Sequence, residues 1–185
     1  MRLVVDFVGF EDDQGRVVVK EVGIAGVDDD RLGHFVFKCP MSWNELGSDT
    51  QRVNAELTNA THGIRWEEGW VPHSDLNRTL SRVVERATSL YAYGPAACSV
   101  LNRLTNRTFI DLQTEFAAPR PKNTGLKSSA CLMPCHCVPV YTCALSNAMS
   151  LAKWLSLYTT QHVTSKLCSV PPVRDSQVIR SAGAC

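Results

Sequence analysis

The sequence lacks an excess of charge of either sign, and it lacks any long apolar run. Nineteen Lys and Arg against 18 Asp and Glu leave a formal net charge of +1, so no overall basic field draws the protein to a nucleic-acid backbone. The apolar stretches are only strand-sized, which argues against a membrane-spanning helix. Residues 1–5 are strand-like and do not form a charged and then hydrophobic signal segment. We therefore expect an intracellular protein of the cytoplasm or nucleus with no membrane partner.

The composition is typical of one globular domain. Of the 185 residues, 44% are hydrophobic and 20% are charged, a balance that supports a single core. The apolar pattern fades after Gln161, and Pro171 and Pro172 precede small polar residues. We predict a domain over residues 1–160, followed by an extended or partly disordered tail over residues 161–185.

The order of strand and helix patterns predicts an α/β protein. Three runs rich in Val and Ile, separated by polar turns, predict an N-terminal three-stranded antiparallel meander. The later apolar spacing predicts alternating helices and short strands. The predicted strands cover residues 3–10, 16–26, 33–39, 90–93 and 109–112, and the predicted helices cover residues 49–57, 76–87, 96–104 and 143–158. The expected architecture is a mixed sheet flanked by helices.

Five short motifs add a family resemblance to this pattern. Asp6 lies on the first predicted strand, and the second strand contains Glu21-Val22-Gly23-Ile24; then come Thr61-His62-Gly63-Ile64, residues 92–101 and Ala144-Leu145-Ser146-Asn147-Ala148. In this order they resemble the D-x-E, E-I-G, H-G-I-T, H-N-A-x-F-D-x-x-F-L and H-x-A-L-x-D-A motifs of DEDDh 3′–5′ exonucleases. The resemblance spans about 150 residues. It implies an RNase H-like fold of the exonuclease type.

The residues that carry the chemistry of that family are mostly replaced. Such enzymes use two divalent cations, which need several converging carboxylates. Carried over position by position, the four carboxylates and the general-base histidine of the family fall on Asp6, Val8, Cys98, Asn147 and Thr142. Because only Asp6 keeps a carboxylate, the resemblance implies a pseudo-exonuclease that binds a protein partner or single-stranded nucleic acid. The alternatives are a divergent Mg²⁺- or Mn²⁺-dependent 3′–5′ exonuclease on single-stranded DNA or RNA, using Asp6 with Glu21, and a purely structural or interaction protein.

Cysteine and histidine cluster immediately before the last predicted helix. The five candidate ligands are Cys131, Cys135, His136, Cys137 and Cys143. Tetrahedral zinc could select four such ligands, with Cys39, Cys168 or His62 as alternative fourth ligands. A structural zinc ion would fix the preceding basic loop to the start of the helix. Reduced thiols and disulfides are the two other interpretations of the same residues.

The basic loop over residues 117–129 is the best local candidate for a phosphate contact. It contains Arg120, Lys122 and Lys127 among several Pro, Asn and Gly residues that oppose regular structure. Trp66 and Trp70 could stack on a base, but they flank Glu67-Glu68-Gly69, whose acids would repel phosphates. Core packing or a protein contact explains these tryptophans better.

Overall fold

The protein, as a computed structural model, forms an α/β fold around one mixed five-stranded sheet. The structure describes residues 1–121, 131, 133–138 and 141–167. The strand order is β3-β2-β1-β4-β5. These strands span Arg2–Glu11 (β1), Val17–Gly26 (β2), Leu32–Val36 (β3), Ser89–Ala92 (β4) and Ile110–Asp111 (β5).

The N-terminal meander is confirmed. β1 pairs antiparallel with β2, and β2 pairs antiparallel with β3. The register places Asp6 opposite Gly23 and Val8 opposite Glu21, with a β-bulge between Val8 and Gly9. The third strand ends at Val36 rather than at residue 39, and Phe37 forms a separate parallel bridge with Val71.

The second half of the sheet is parallel. β4 pairs parallel with β1, and β5 pairs parallel with β4. Four helices span Ser48–Leu57 (α1), Leu76–Val84 (α2), Pro95–Thr105 (α3) and Leu112–Phe116 (α4). The short α4 was not predicted. It begins directly after β5 because the Asp111 carboxylate caps it, accepting hydrogen bonds from the Gln113 N–H and the Thr114 hydroxyl.

The core is divided between the two faces of the sheet, as side-chain alternation along β1 requires. Leu3 and Val5 pack with side chains of α2 and α3, among them Leu80 and Leu101. Val4, which points to the other face, packs in the cluster that contains Leu112, Ala148, Leu151 and Leu155. The architecture is therefore a sheet between two helical layers, and no helix among the described residues is long and apolar enough to cross a membrane.

The last helix, α5, spans Ala144–Leu167 and crosses the sheet at β1 and β2. It continues past residue 161, where the tail was predicted to begin, and Tyr158 stacks on His162 with ring centroids 4.0 Å apart. This contact between residues one turn apart supports the extra helical turns. The rest of the predicted tail, residues 168–185, lies outside the described residues.

Candidate metal centre and the adjacent cleft

A cleft of about 600 Å³ opens beside the bulged part of β1 and the start of α5. Asp6, Val8, Thr142 and Asn147 all line it, although they come from opposite ends of the domain. Four of the five positions carried over from the exonuclease motifs are therefore brought together. The fifth, Cys98, is buried in the core between the sheet and α2–α3, where burial raises the pKa of its thiol to about 11.

Asp6 is a half-buried carboxyl group with one side-chain partner. Its Oδ2 accepts a hydrogen bond of 2.8 Å from Nδ2 of Asn147. Burial raises the pKa of Asp6 to about 7; nearby Glu21 adds to the rise, and hydrogen bonds from Asn147 and the Phe7 N–H oppose it. The carboxyl group therefore exchanges its proton near neutral pH.

The donor set of the cleft does not fit a pair of hydrolytic cations. Among the described residues that line it, Asp6 is the only acidic side chain. Asp111 is occupied elsewhere, since its Oδ1 also accepts the Gly94 N–H at 2.7 Å. Glu21, the other carboxylate considered for this role, is fully buried and is not among the residues that line the cleft. One carboxylate that is half protonated near neutrality leaves Mg²⁺ or Mn²⁺ without enough oxygen ligands.

Glu21 belongs instead to a second group, which we call the metal cluster: Glu21, Cys131, His136 and Cys143. All four side chains are buried, and one ligand atom from each lies within 4.8 Å of every other. Sγ of Cys131 lies 3.6 Å from Sγ of Cys143 and 3.2 Å from Nδ1 of His136. Oε1 of Glu21 lies 3.4 Å from Nδ1 of His136 and 3.8 Å from Sγ of Cys143. This group could hold a metal ion.

The orientation of these ligands is fixed by surrounding groups. Nε2 of His136 lies 3.1 Å from the His62 carbonyl oxygen, which can only accept, so Nε2 carries the proton and Nδ1 faces the cluster. Nε2 of His34 lies 2.6 Å from Oε1 of Glu21. Oε2 of Glu21 accepts the Ala144 N–H at 3.0 Å. Such outer contacts are typical of metal ligands that are held in place before the ion binds.

Two side chains of the metal cluster, His136 and Cys143, have raised pKa values. Burial lowers the pKa of His136, but interactions with Cys135, Cys143 and Glu21 outweigh burial and raise it to about 10. A hydrogen bond with Cys131, together with burial, raises the pKa of Cys143 to about 12. At neutral pH the raised pKa leaves the His136 imidazole protonated beside Glu21. A divalent cation bound by these side chains would displace protons from them.

Three of the five predicted metal ligands, Cys131, His136 and Cys143, meet in the cluster. Cys135 instead directs its thiol towards the His62 carbonyl oxygen, with an S–O distance of 3.8 Å. Cys137 ends the turn Pro134–Cys137, and its side chain is outside what the structure describes. Glu21 was considered only for the cleft, because nothing in local spacing connects it with cysteines so far along the chain.

Two of the alternative fourth ligands, Cys39 and His62, are not part of the metal cluster. Cys39 contacts Nζ of the buried Lys20 at 3.7 Å. His62 accepts the Ile64 N–H at Nδ1 and packs edge-on against Phe10. Burial lowers the pKa of His62 to about 4, so this ring is neutral at physiological pH. Cys168 lies outside the described residues.

Of the predicted phosphate contacts, the structure describes only Arg120, which lines the cleft. Lys122 and Lys127 lie outside the described residues. Trp66 is buried against Phe10 and Trp43, with ring centroids 5.1 and 5.8 Å away, so it is a core residue. Trp70 is 45% exposed and stands edge-on to His34.

No protein-family model matches this chain, and no curated protein matches it. The resemblance to DEDDh exonucleases therefore stays a prediction from the order of the motifs in the sequence.

Proposed function

We propose that this protein is a non-catalytic binding module on an RNase H-like scaffold of the exonuclease type, with a structural zinc ion beside its cleft. The observation that carries the proposal is the hydrogen bond from Asn147 to Asp6 inside the cleft. It puts an amide where the exonuclease motif has a second carboxylate. The Asn147 amide donates a hydrogen bond to Asp6 through its NH₂ group. A cation bound at this position would instead need an oxygen ligand there.

Residues that are distant in the sequence lie together in the fold, which supports the proposed scaffold. An antiparallel meander followed by two parallel strands and a final helix is the order of elements that the resemblance implies. Four positions carried over from the motifs also line one cleft. The match is incomplete at Cys98, whose neighbour Ala97 lines the cleft instead.

A protein partner fits the cleft better than a nucleic acid does. Arg120 is the only cationic side chain among its described lining residues, and Phe7 and Tyr93 contribute aromatic surface. The net charge of +1 supplies little long-range attraction for phosphates. Aromatic and arginine side chains together are enriched at protein interfaces.

Zinc is supported by the spacing of the metal cluster. Zn–S bonds of about 2.3 Å and Zn–N or Zn–O bonds of about 2.0–2.2 Å, at tetrahedral angles, place ligand atoms about 3.4–3.8 Å apart. Four of the six separations between ligand atoms range from 3.2 to 3.8 Å, and all six lie within 4.8 Å. Two thiolates and an imidazole favour zinc over magnesium or calcium. Four buried protein ligands leave no open position, so the ion would be structural and not catalytic.

The test of the binding function uses labelled single-stranded DNA and RNA. Incubation of the purified protein with Mg²⁺ or Mn²⁺ should leave both intact, and gel-shift titration at two salt concentrations should show no strong salt-dependent binding. Degradation that Asp6→Ala abolishes would overturn the non-catalytic proposal. Tight, salt-sensitive binding would replace the protein partner with a nucleic acid.

The test of the zinc ion compares two cysteines of the same segment. Elemental analysis of protein purified without chelator should give about one zinc per chain. Cys131→Ser should lose the metal, whereas Cys135→Ser, whose thiol faces the His62 carbonyl oxygen, should keep it. A metal content near zero in the unmodified protein would contradict the proposal.

A further inference from the structure

We infer that the metal ion orders one wall of the cleft, so that occupancy of the metal cluster regulates the shape of the binding surface. The inference rests on the zinc site proposed above. It goes beyond that proposal because a structural ion could equally stabilise a part of the fold remote from the binding surface. Three independent connections join the metal cluster to the cleft.

The first connection is covalent. Thr142 and Asn147 both line the cleft, and Cys143 of the metal cluster stands between them in the chain. The Asn147 N–H donates to the Cys143 carbonyl oxygen at 3.0 Å, in the first turn of α5. The side chain that holds Asp6 is therefore one helical turn from a metal ligand.

The second connection runs through the turn at residues 61–63. The His136 Nε2–H donates to the His62 carbonyl oxygen, and the Thr142 N–H donates to the Thr61 carbonyl oxygen at 2.6 Å. Thr61 itself lines the cleft. Gly63 has a φ of 71°, and a Cβ there would lie 2.5 Å from the Tyr141 ring. The segment that carries the ligands thus holds this cleft-lining turn at several points.

The third connection is Glu21, which spans from the sheet to the last helix. One of its oxygens faces His136 and Cys143, and the other accepts the Ala144 N–H. An ion bound to this carboxylate would fix the start of α5 against β2. The same turn of α5 presents Asn147 to Asp6 on β1.

The chain between α4 and α5 is described at residues 117–121, 131, 133–138 and 141–143. Over its described residues, the only regular element is the turn Pro134–Cys137. A segment with few backbone hydrogen bonds opens locally at low free-energy cost unless something else ties it down. Binding of the metal ion would hold the segment in place. The free energy of metal binding is gained only when the ligands are assembled. Loss of the ion should therefore loosen Tyr141, Thr142 and the 61–63 turn, while the core formed with α2 and α3 remains folded.

Hydrogen–deuterium exchange tests this inference on the full chain with zinc as the probe. Zinc-loaded protein is compared with chelator-treated protein, and the metal content of both samples is measured. We expect exchange at residues 58–64 and 141–148 to become about tenfold faster or more without zinc, and exchange in α2 and β4 to stay unchanged. Cys131→Ser should show the faster exchange without chelator, and Cys39→Ser, which contacts Lys20 outside the metal cluster, should behave as the unmodified protein does.

The possible outcomes separate the two proposals. Bound zinc whose removal leaves both segments equally protected would overturn the coupling and leave the zinc site standing. Loss of protection throughout the chain would also overturn the coupling, because the ion would then stabilise the whole fold and not the cleft wall. Absence of zinc from the unmodified protein would overturn the zinc site and with it the inference.

Discussion

Gly23 fixes how closely the last helix approaches the sheet. A Cβ at this position would lie 2.2 Å from the Leu145 backbone nitrogen and 2.3 Å from the Ala144 carbonyl carbon. Backbone atoms cannot move away as a flexible side chain can, so only glycine allows α5 to begin here. The same contact brings Ala144 to Glu21 and Asn147 to Asp6.

Gly23→Ala should therefore destabilise the protein by about 2–3 kcal/mol, because the helix must shift away from the sheet. The free energy of unfolding in urea measures this loss. Gly33→Ala is the matched control, since a Cβ there lies 3.3–3.4 Å from side-chain atoms of Phe35 and Ile24. The control should change stability by less than about 1 kcal/mol. Equal losses for both variants would contradict the close contact between α5 and β2.

Asp6 should make the free energy of unfolding depend on pH. Its pKa is raised from 3.8 to about 7 in the folded protein. Between these values the folded state binds more protons than the unfolded chain, so stability falls as pH rises. We expect a loss of about 1–2 kcal/mol across this range, less than the full shift would give, because solvent in the cleft screens the charge.

Asp6→Asn isolates this contribution, because its amide oxygen can still accept the hydrogen bond from Asn147. The measured quantity is the difference in unfolding free energy between the unmodified protein and the variant at a series of pH values. The unmodified protein should lose stability relative to the variant as pH rises from about 4 to about 7. A constant difference, or one that moves the other way, would show that Asp6 is not desolvated.

At the scale of elements, the cleft lies where β1 and the start of α5 meet the residues that follow β4. The apolar spacing of residues 143–158 was sufficient to predict α5, and alternation along residues 3–10 was sufficient to predict β1. Neither pattern could place Glu21 beside Cys131, because that contact depends on how α5 crosses the sheet. The capping role of Asp111 was missed for a similar reason: a carboxylate after a short strand gives no sign of α4 until Gln113 and Thr114 are in place.

If β1 and α5 belong to an exonuclease-type scaffold, restoring carboxylates at the carried-over positions should restore cation binding. Val8→Glu combined with Asn147→Asp places two further carboxylates in the cleft with Asp6. We expect weak Mn²⁺ binding, with a Kd on the order of millimolar, that the unmodified protein lacks. Mn²⁺ titration followed by electron paramagnetic resonance measures the free ion directly.

The control for the cleft variant must add its carboxylates at exposed positions. Leu155→Glu combined with Tyr158→Glu is unsuitable, because Leu155 is fully buried and the change would unfold the helix. Asn77→Asp with Ser99→Glu adds the same two carboxylates, with the same change of charge, on exposed helical positions away from the cleft. Two outcomes would remove this support for the scaffold. In one, the surface variant binds Mn²⁺ as well as the cleft variant does. In the other, the cleft variant folds but binds no Mn²⁺.

At the scale of the whole molecule, one buried group of four side chains could hold a metal ion, and the described residues that line the cleft include a single carboxylate. The sequence was enough to predict the order of the sheet elements, because strand alternation and helical spacing are local. It was also enough to bring Cys131, His136 and Cys143 under consideration, because they are close in the chain. It could not discard Cys135, whose orientation depends on the His62 carbonyl group on a distant turn.

A crystal soaked in Mn²⁺, with anomalous scattering recorded at the zinc and manganese edges, tests the central claim most directly. The account predicts one zinc peak bounded by Glu21, Cys131, His136 and Cys143, and no manganese peak at Asp6. Manganese bound at Asp6 in the unmodified protein, or no zinc within the metal cluster, would contradict it.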